Sequence, residues 1–429
     1  MSEPDRKRAG LGLRIACAAV LCAAFPSVQA VDAIEHELEI AHTDQLSPAT
    51  SDVDRILGDA ATTLQRRDSS NDVACPVALK RKGNLVPIPA KSHPGAVQTY
   101  DEMAKLRELP GDVKIVREIT WCGEPGIFLG CGGPQKGLMA VVPMDDAASD
   151  GILWAHEIGH YKGIGHTDPP VEHRLMLPVI ANDHREITDK ECEKYAAAPL
   201  PVFGLKGKVD KKIFVQPSPA AAAKPAPLRP IREFVRQYWV HGVPYSEALR
   251  YDAEVVPTML EMLKDPKERP FRSNIVQMIG LVGSREHVNE LISFFRRGEG
   301  RLPPSEARAK SAVLLAVGFL QNRSPSQAAQ AFLVQNSNPN QVSTAWLGAN
   351  VGEAQLRQRE IARTAAAGIA FSGQPALGTW LAEIQVSIEQ GAFTLNTGAG
   401  EPHEYVRQLR DIHESVNKRG LGPYLRGER

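Results

Sequence analysis

The stretch His156-Glu157-Ile158-Gly159-His160-Tyr161-Lys162-Gly163-Ile164-Gly165-His166 organises the reading of the whole chain. Residues four apart on a helix share a face, so His156 and His160 can aim two imidazoles at one metal ion. Glu157 follows His156 and is carried beside the metal's open position, where its carboxylate can accept a proton from a bound water. A catalytic zinc normally has three protein ligands. A helix continued past His160 would carry His166 to the wrong side. Gly163 permits a sharp break, because glycine tolerates backbone angles that strain other residues. The chain can then turn back and offer His166 as the third ligand. A purely structural, four-ligand zinc site has no need of a base, so Glu157 argues for chemistry. Further on, Arg174-Leu175-Met176-Leu177-Pro178 places a methionine in a turn.

Outward from this motif, residues 31–201 read as an α/β unit. Apolar and polar residues alternate over 36–42, as in a first strand. Val53, Ile56, Leu57, Ala60, Ala61 and Leu64 recur at helical spacing. A second strand is expected over 75–79, a short helix over 97–108, a third strand over 113–121 and a short apolar strand over 137–143. The motif helix is expected over about 150–161, with Ser149 or Asp150 as its cap. Leu153 and Trp154 read as core anchors, and His173 and His184 as surface loop residues. The glycines at 123, 126, 130, 132 and 133 lack the lysine-threonine and long helix of a phosphate loop.

Two helical histidines with a glutamate, a glycine turn, a third histidine and a downstream methionine turn resemble the metzincin metalloproteases. The resemblance covers about residues 35–195 and extends to the order of strands and helices. It implies an α+β catalytic domain with a twisted mixed sheet, and a last helix over 187–195. It implies one catalytic Zn2+ on His156, His160 and His166, with Glu157 as general base, and Met176 beneath the metal. It also implies that the strand before the motif helix is an exposed edge, so that Leu138, Met139, Ala140, Val141 and Val142 bind an extended peptide by backbone pairing. Val179 and Ile180 would wall one pocket. The Leu-Met-Leu-Pro turn looks most like the matrixin-type branch. Thr167 stands where branches differ, so no branch is assigned.

The ends of the chain add context. Arg6, Lys7, Arg8 and Arg14 precede an apolar run over 15–25 of about 11 residues, the size of a signal h-region and too short for a helical membrane span. Cleavage is expected after Ala30. Four cysteines remain: Cys75, Cys122, Cys131 and Cys192. An even number in an exported chain suggests two disulfides. Three pairings are possible, one of which joins Cys122 to Cys131 and leaves Cys75 for Cys192. Residues 202–230 are Pro/Ala-rich and read as a semi-rigid linker. Residues 231–429 are helical in pattern. Segments 273–296, 307–333 and 358–388 resemble one another, with Gly280, Gly318 and Gly368 at corresponding places. They resemble HEAT-type repeats, which bury their apolar faces by stacking.

The chain has 429 residues, 43% hydrophobic and 23% charged, and zero formal net charge. The length exceeds one ordinary core, and the neutral charge favours neither nucleic acid nor an anionic membrane as partner. The expectation is an exported zinc endopeptidase, periplasmic or secreted, acting on polypeptide through attack of a zinc-bound water assisted by Glu157. Its helical repeats would recruit substrate or a partner protein. The competing reading is an exported helical-repeat scaffold with a vestigial or structural zinc domain. Neither cleavage preference nor a calcium requirement is legible.

Overall fold

The computed structural model describes residues 33–426 except 71, 94, 124, 134–137, 168–172, 182, 198–226, 348–350 and 396–401. The expected leader, 1–30, and residues 202–226 of the expected linker lie outside the described residues. The chain from Ala33 onward forms one compact unit.

The first half is mixed α/β. In chain order it runs β1 (Ile34–Leu38), β2 (Ile40–Thr43), α1 (Thr50–Gln65), β3 (Val77–Arg81), β4 (Val86–Ile88), β5 (Ala96–Val97), α2 (Tyr100–Glu108), β6 (Val113–Ile115), β7 (Glu118–Trp121), β8 (Pro125–Phe128), β9 (Gly130–Gly133), β10 (Leu138–Val141), α3 (Ala147–Tyr161), β11 (Val179–Ile180) and α4 (Asp189–Ala196). The central sheet has five strands in the order β4-β2-β6-β10-β9. All its pairings are parallel except β9 with β10.

Two expected strands are each divided between sheets. The run over 36–42 breaks at Glu39, whose carbonyl accepts from Asp112 and Val113. β1 pairs with β3, while β2 enters the central sheet. The run over 113–121 breaks at Val116 and Arg117. The amide of Val116 donates to Val141 of the central sheet, and that of Arg117 to Gly95 outside it. Alternation alone records that a run is extended, not which neighbour it pairs with.

α3 is buried almost all round, with Ile152, Leu153, Trp154, Ala155 and Ile158 inside. It packs on α1 and against β9 and β10, which explains an apolar helix with little polar face. Its cap is Asp146, whose carboxylate accepts from the amides of Ala148 and Ser149. That corrects the expected cap: Asp150 lies within the first turn and accepts instead from the Met144 amide at 3.1 Å. Disulfides join Cys75 to Cys192 and Cys122 to Cys131. The first ties α4 to the segment entering β3, and the second ties the end of β7 to β9.

The second half comprises α5 (Ile231–Val235), β12 (Tyr238–Trp239), α6 (Tyr245–Ala248), α7 (Val256–Lys264), α8 (Arg272–Val282), α9 (Val288–Arg296), α10 (Pro304–Arg323), α11 (Gln327–Asn336), α12 (Val351–Ser372), α13 (Pro375–Glu389), α14 (Pro402–Arg419) and α15 (Leu421–Leu425). α10 lies between α8 and α12, and α14 packs on the far side of α12. The three glycines noted in sequence fall at these crossings. A side chain on Gly280 would strike Ala316 of α10, and one on Gly318 would strike the backbone of Gly368 in α12.

Each half builds an apolar core of its own, with Ile127 and Val179 crossing into the helical one and Val240 into the α/β one, and buried charge also joins them. Arg117 pairs with Glu360, Arg357 with Glu118 and Glu360, and Arg363 with Glu102. Each of these carboxylates has cationic partners, the condition under which buried charge is tolerated. Among the described residues no helix is long and apolar enough to cross a membrane.

Candidate metal centre

His156 and His160 stand one turn apart on α3. The Nδ1 of His156 lies 2.8 Å from the Leu175 carbonyl oxygen, and the Nδ1 of His160 lies 2.8 Å from that of Ile164. Each ring therefore donates from Nδ1 to the backbone and keeps the Nε2 lone pair for a ligand, the usual support of a metal-binding imidazole. Burial holds the His156 imidazole well below its ordinary pKa, aided by the neighbouring His160 and His166. It is thus neutral, as ligation requires.

The helix stops as the glycine predicts. Gly163 has φ of +79°. Its amide donates to His160, and the amide of Ile164 donates to Gly159, the paired bonds of a Schellman ending. The chain reverses and brings the Nε2 of His166 to 3.0 Å from that of His160. The Thr167 amide donates to the Met176 carbonyl oxygen at 2.9 Å, so the methionine turn fixes the strand of chain carrying His166. The Met176 side chain is fully buried. Its sulfur lies 3.3 Å from the Tyr195 hydroxyl, which donates to the Ala155 carbonyl oxygen at 3.0 Å. A methyl group on Gly159 would collide with both Met176 and Tyr195. The glycine within the motif is therefore what lets this support sit under the helix. Arg174 pairs with Glu191 of α4, tying the turn to the last helix of the α/β half.

Glu157 is buried, with its carboxylate over the α-carbon of Gly130 in β9. Any side chain at 130 would displace that carboxylate. His173 and His184 lie apart from the cluster, each near Asp183, and Leu153 and Trp154 are core.

Two features depart from the sequence expectation. The strand before α3 is not an edge. β10 pairs with β6 on one side and β9 on the other, and Met139, Ala140, Val141 and Val142 are buried. Leu138 pairs with Gly133 of β9. The edge strand on this side of the sheet is β9, so residues 138–142 cannot pair with an added peptide strand.

The second departure is a fourth imidazole. His241 joins His156, His160 and His166, with one ligand atom from each lying within 4.8 Å of all the others. Its ring centroid is 4.7 Å from that of His166 and 5.8 Å from that of His156. His241 lies beyond the expected linker at no periodic distance from the motif. The only local signal is a short strand-like run, Tyr238-Trp239-Val240, ending in His241-Gly242.

The residues fit a transition metal. Tetrahedral zinc with Zn–N of about 2.0–2.1 Å places its ligand atoms roughly 3.3 Å apart. The His160–His166 pair is already near that spacing, and the full set needs only modest closing. The Nε2 of His156 is buried and has no hydrogen-bond partner among the described residues, a costly arrangement unless the atom has another use. An all-imidazole set suits zinc, copper, iron or nickel better than calcium or magnesium.

No family model, curated protein or solved structure matches this chain.

Proposed function

We propose that this chain is a zinc-dependent endopeptidase of metzincin type, exported, with His156, His160 and His166 as the ligands on which activity depends. One observation above all supports this: His156 and His160, each with its Nδ1 anchored on a backbone carbonyl, converge with His166 next to the helix that also carries a buried carboxylate, Glu157. Zinc bound there supplies a Lewis acid that acidifies water and polarises a carbonyl. The chain supplies the remainder. Glu157 takes the proton of the attacking water and delivers it to the departing amine. Its seat over Gly130 fixes the carboxylate, and Met176 with Tyr195 holds the floor beneath the ligand helix. The helical half, read as HEAT-like repeats, would present substrate or a partner protein.

His241 favours a second reading, a closed four-histidine structural site in a scaffold protein. The two separate on one experiment. Peptide-library cleavage by the zinc-loaded full chain should be measurable, chelator-sensitive, and reduced about 10²–10⁴-fold by Glu157→Ala, the usual weight of a general base. Equal turnover by Glu157→Ala would remove the proposed mechanism.

A further inference from the structure

The segment that delivers His241 is held as an extended peptide. Tyr238 and Trp239 of β12 pair antiparallel with Ile180 and Val179 of β11. On the other side the Leu129 amide donates to the Val240 carbonyl oxygen at 2.8 Å. The Val240 amide donates to Pro178 at 3.3 Å. Side chains alternate between the two cores: Trp239 belongs to the helical core and Val240 to the α/β core. Backbone pairing along both flanks with alternating side-chain pockets is how proteins hold an added strand of polypeptide.

We propose that this groove, between residues 127–129 and 178–180, is the polypeptide-binding groove, and that the chain fills it with its own residues 238–242. His241 then takes the place at the metal that a scissile peptide must enter. The inference rests on the peptidase reading and adds its regulation: while the segment is seated, cleavage is held to a low but measurable level. It also names the ligand class, an extended polypeptide with apolar side chains at the positions of Trp239 and Val240. A catalytic zinc keeps one position open, whereas four protein ligands close it. Exchange of His241 for an outside ligand is therefore the event that switches the site on.

The test uses the full chain loaded with Co2+, whose visible absorption reports its ligands, titrated with azide as a small probe of an open position. The wild type should resist azide. His241→Ala and His241→Phe, the latter keeping a ring in the same space, should both retain one Co2+ and bind azide at least tenfold more tightly. Peptide cleavage by the zinc-loaded variants should rise at least tenfold. Equal azide binding by wild type and both variants would overturn the inference whether or not peptides are cleaved. Loss of Co2+ from both variants would also overturn it, by making His241 an indispensable structural ligand. Azide binding gained without any peptide cleavage would confirm that His241 closes the site, yet remove the peptidase reading and the regulation built on it.

Discussion

At the scale of the residue, the site depends on atoms that are missing as much as on those present. Gly159 has no side chain because Met176 and Tyr195 lie directly under the helix at that point. Gly159→Ala should lower stability by about 1–3 kcal/mol, the usual cost of overpacking a filled interior. Zinc affinity should fall with it, since Leu175 beside Met176 anchors His156. Urea unfolding of the zinc-free protein and a competitive zinc titration read the two effects separately. Unchanged values in both would mean that the methionine turn does not support the ligands. This level was largely legible in the sequence. His156, Glu157, His160, Gly163 and His166 are spaced by helix geometry and by one turn that glycine permits. The role of Gly159 was not, because what a residue must avoid is set by distant parts of the chain.

At the scale of the element, α3 carries its own pH dependence. Burial pushes the Asp150 carboxyl up to about 7, against the Met144 amide and the Arg308 guanidinium, which favour the ionised form. The unfolded chain ionises this group near pH 3.9. Below that pH both states are protonated and the group costs nothing. Between about pH 4 and 7 only the unfolded state gives up its proton, so folding weakens as pH rises, and the loss levels off above 7. The difference amounts to an upper bound on the order of 4 kcal/mol. Asp150→Asn keeps an acceptor for Met144 and removes the charge. Its stability relative to wild type should climb from pH 4 to 7, measured by urea titration at each pH. A constant difference would show that Asp150 ionises normally.

Elements were legible where period and length sufficed, as for α1 and the apolar core of α3. Their partners were not. Strand runs that looked single are split between sheets at Glu39 and at Val116-Arg117. Residues 138–142, which looked like an edge, lie inside the sheet because β9 returns antiparallel beside them. β9 itself is Gly130-Cys131-Gly132-Gly133, a composition that argues against a strand. It becomes one because Cys131 is bonded to Cys122 and because Glu157 needs the space over Gly130.

At the scale of the whole molecule, two halves with different architectures share one centre. The helical half contributes His241 to a cluster whose other members come from the α/β half, and buried ion pairs join α12 to α2 and β7. Helical content, and the glycines at the helix crossings, could be read from sequence. The docking of one half on the other could not, since charge pairs such as Arg357–Glu118 leave no local pattern. His241 escaped for the same reason. The proposed chemistry of the whole molecule depends on a single metal held by imidazoles of the motif. Metal analysis of the purified full chain tests it most directly. It predicts one zinc or comparable transition metal per chain, largely lost in His160→Ala. A chain that binds no such metal, or a His160→Ala variant that keeps it undiminished, would contradict the assignment.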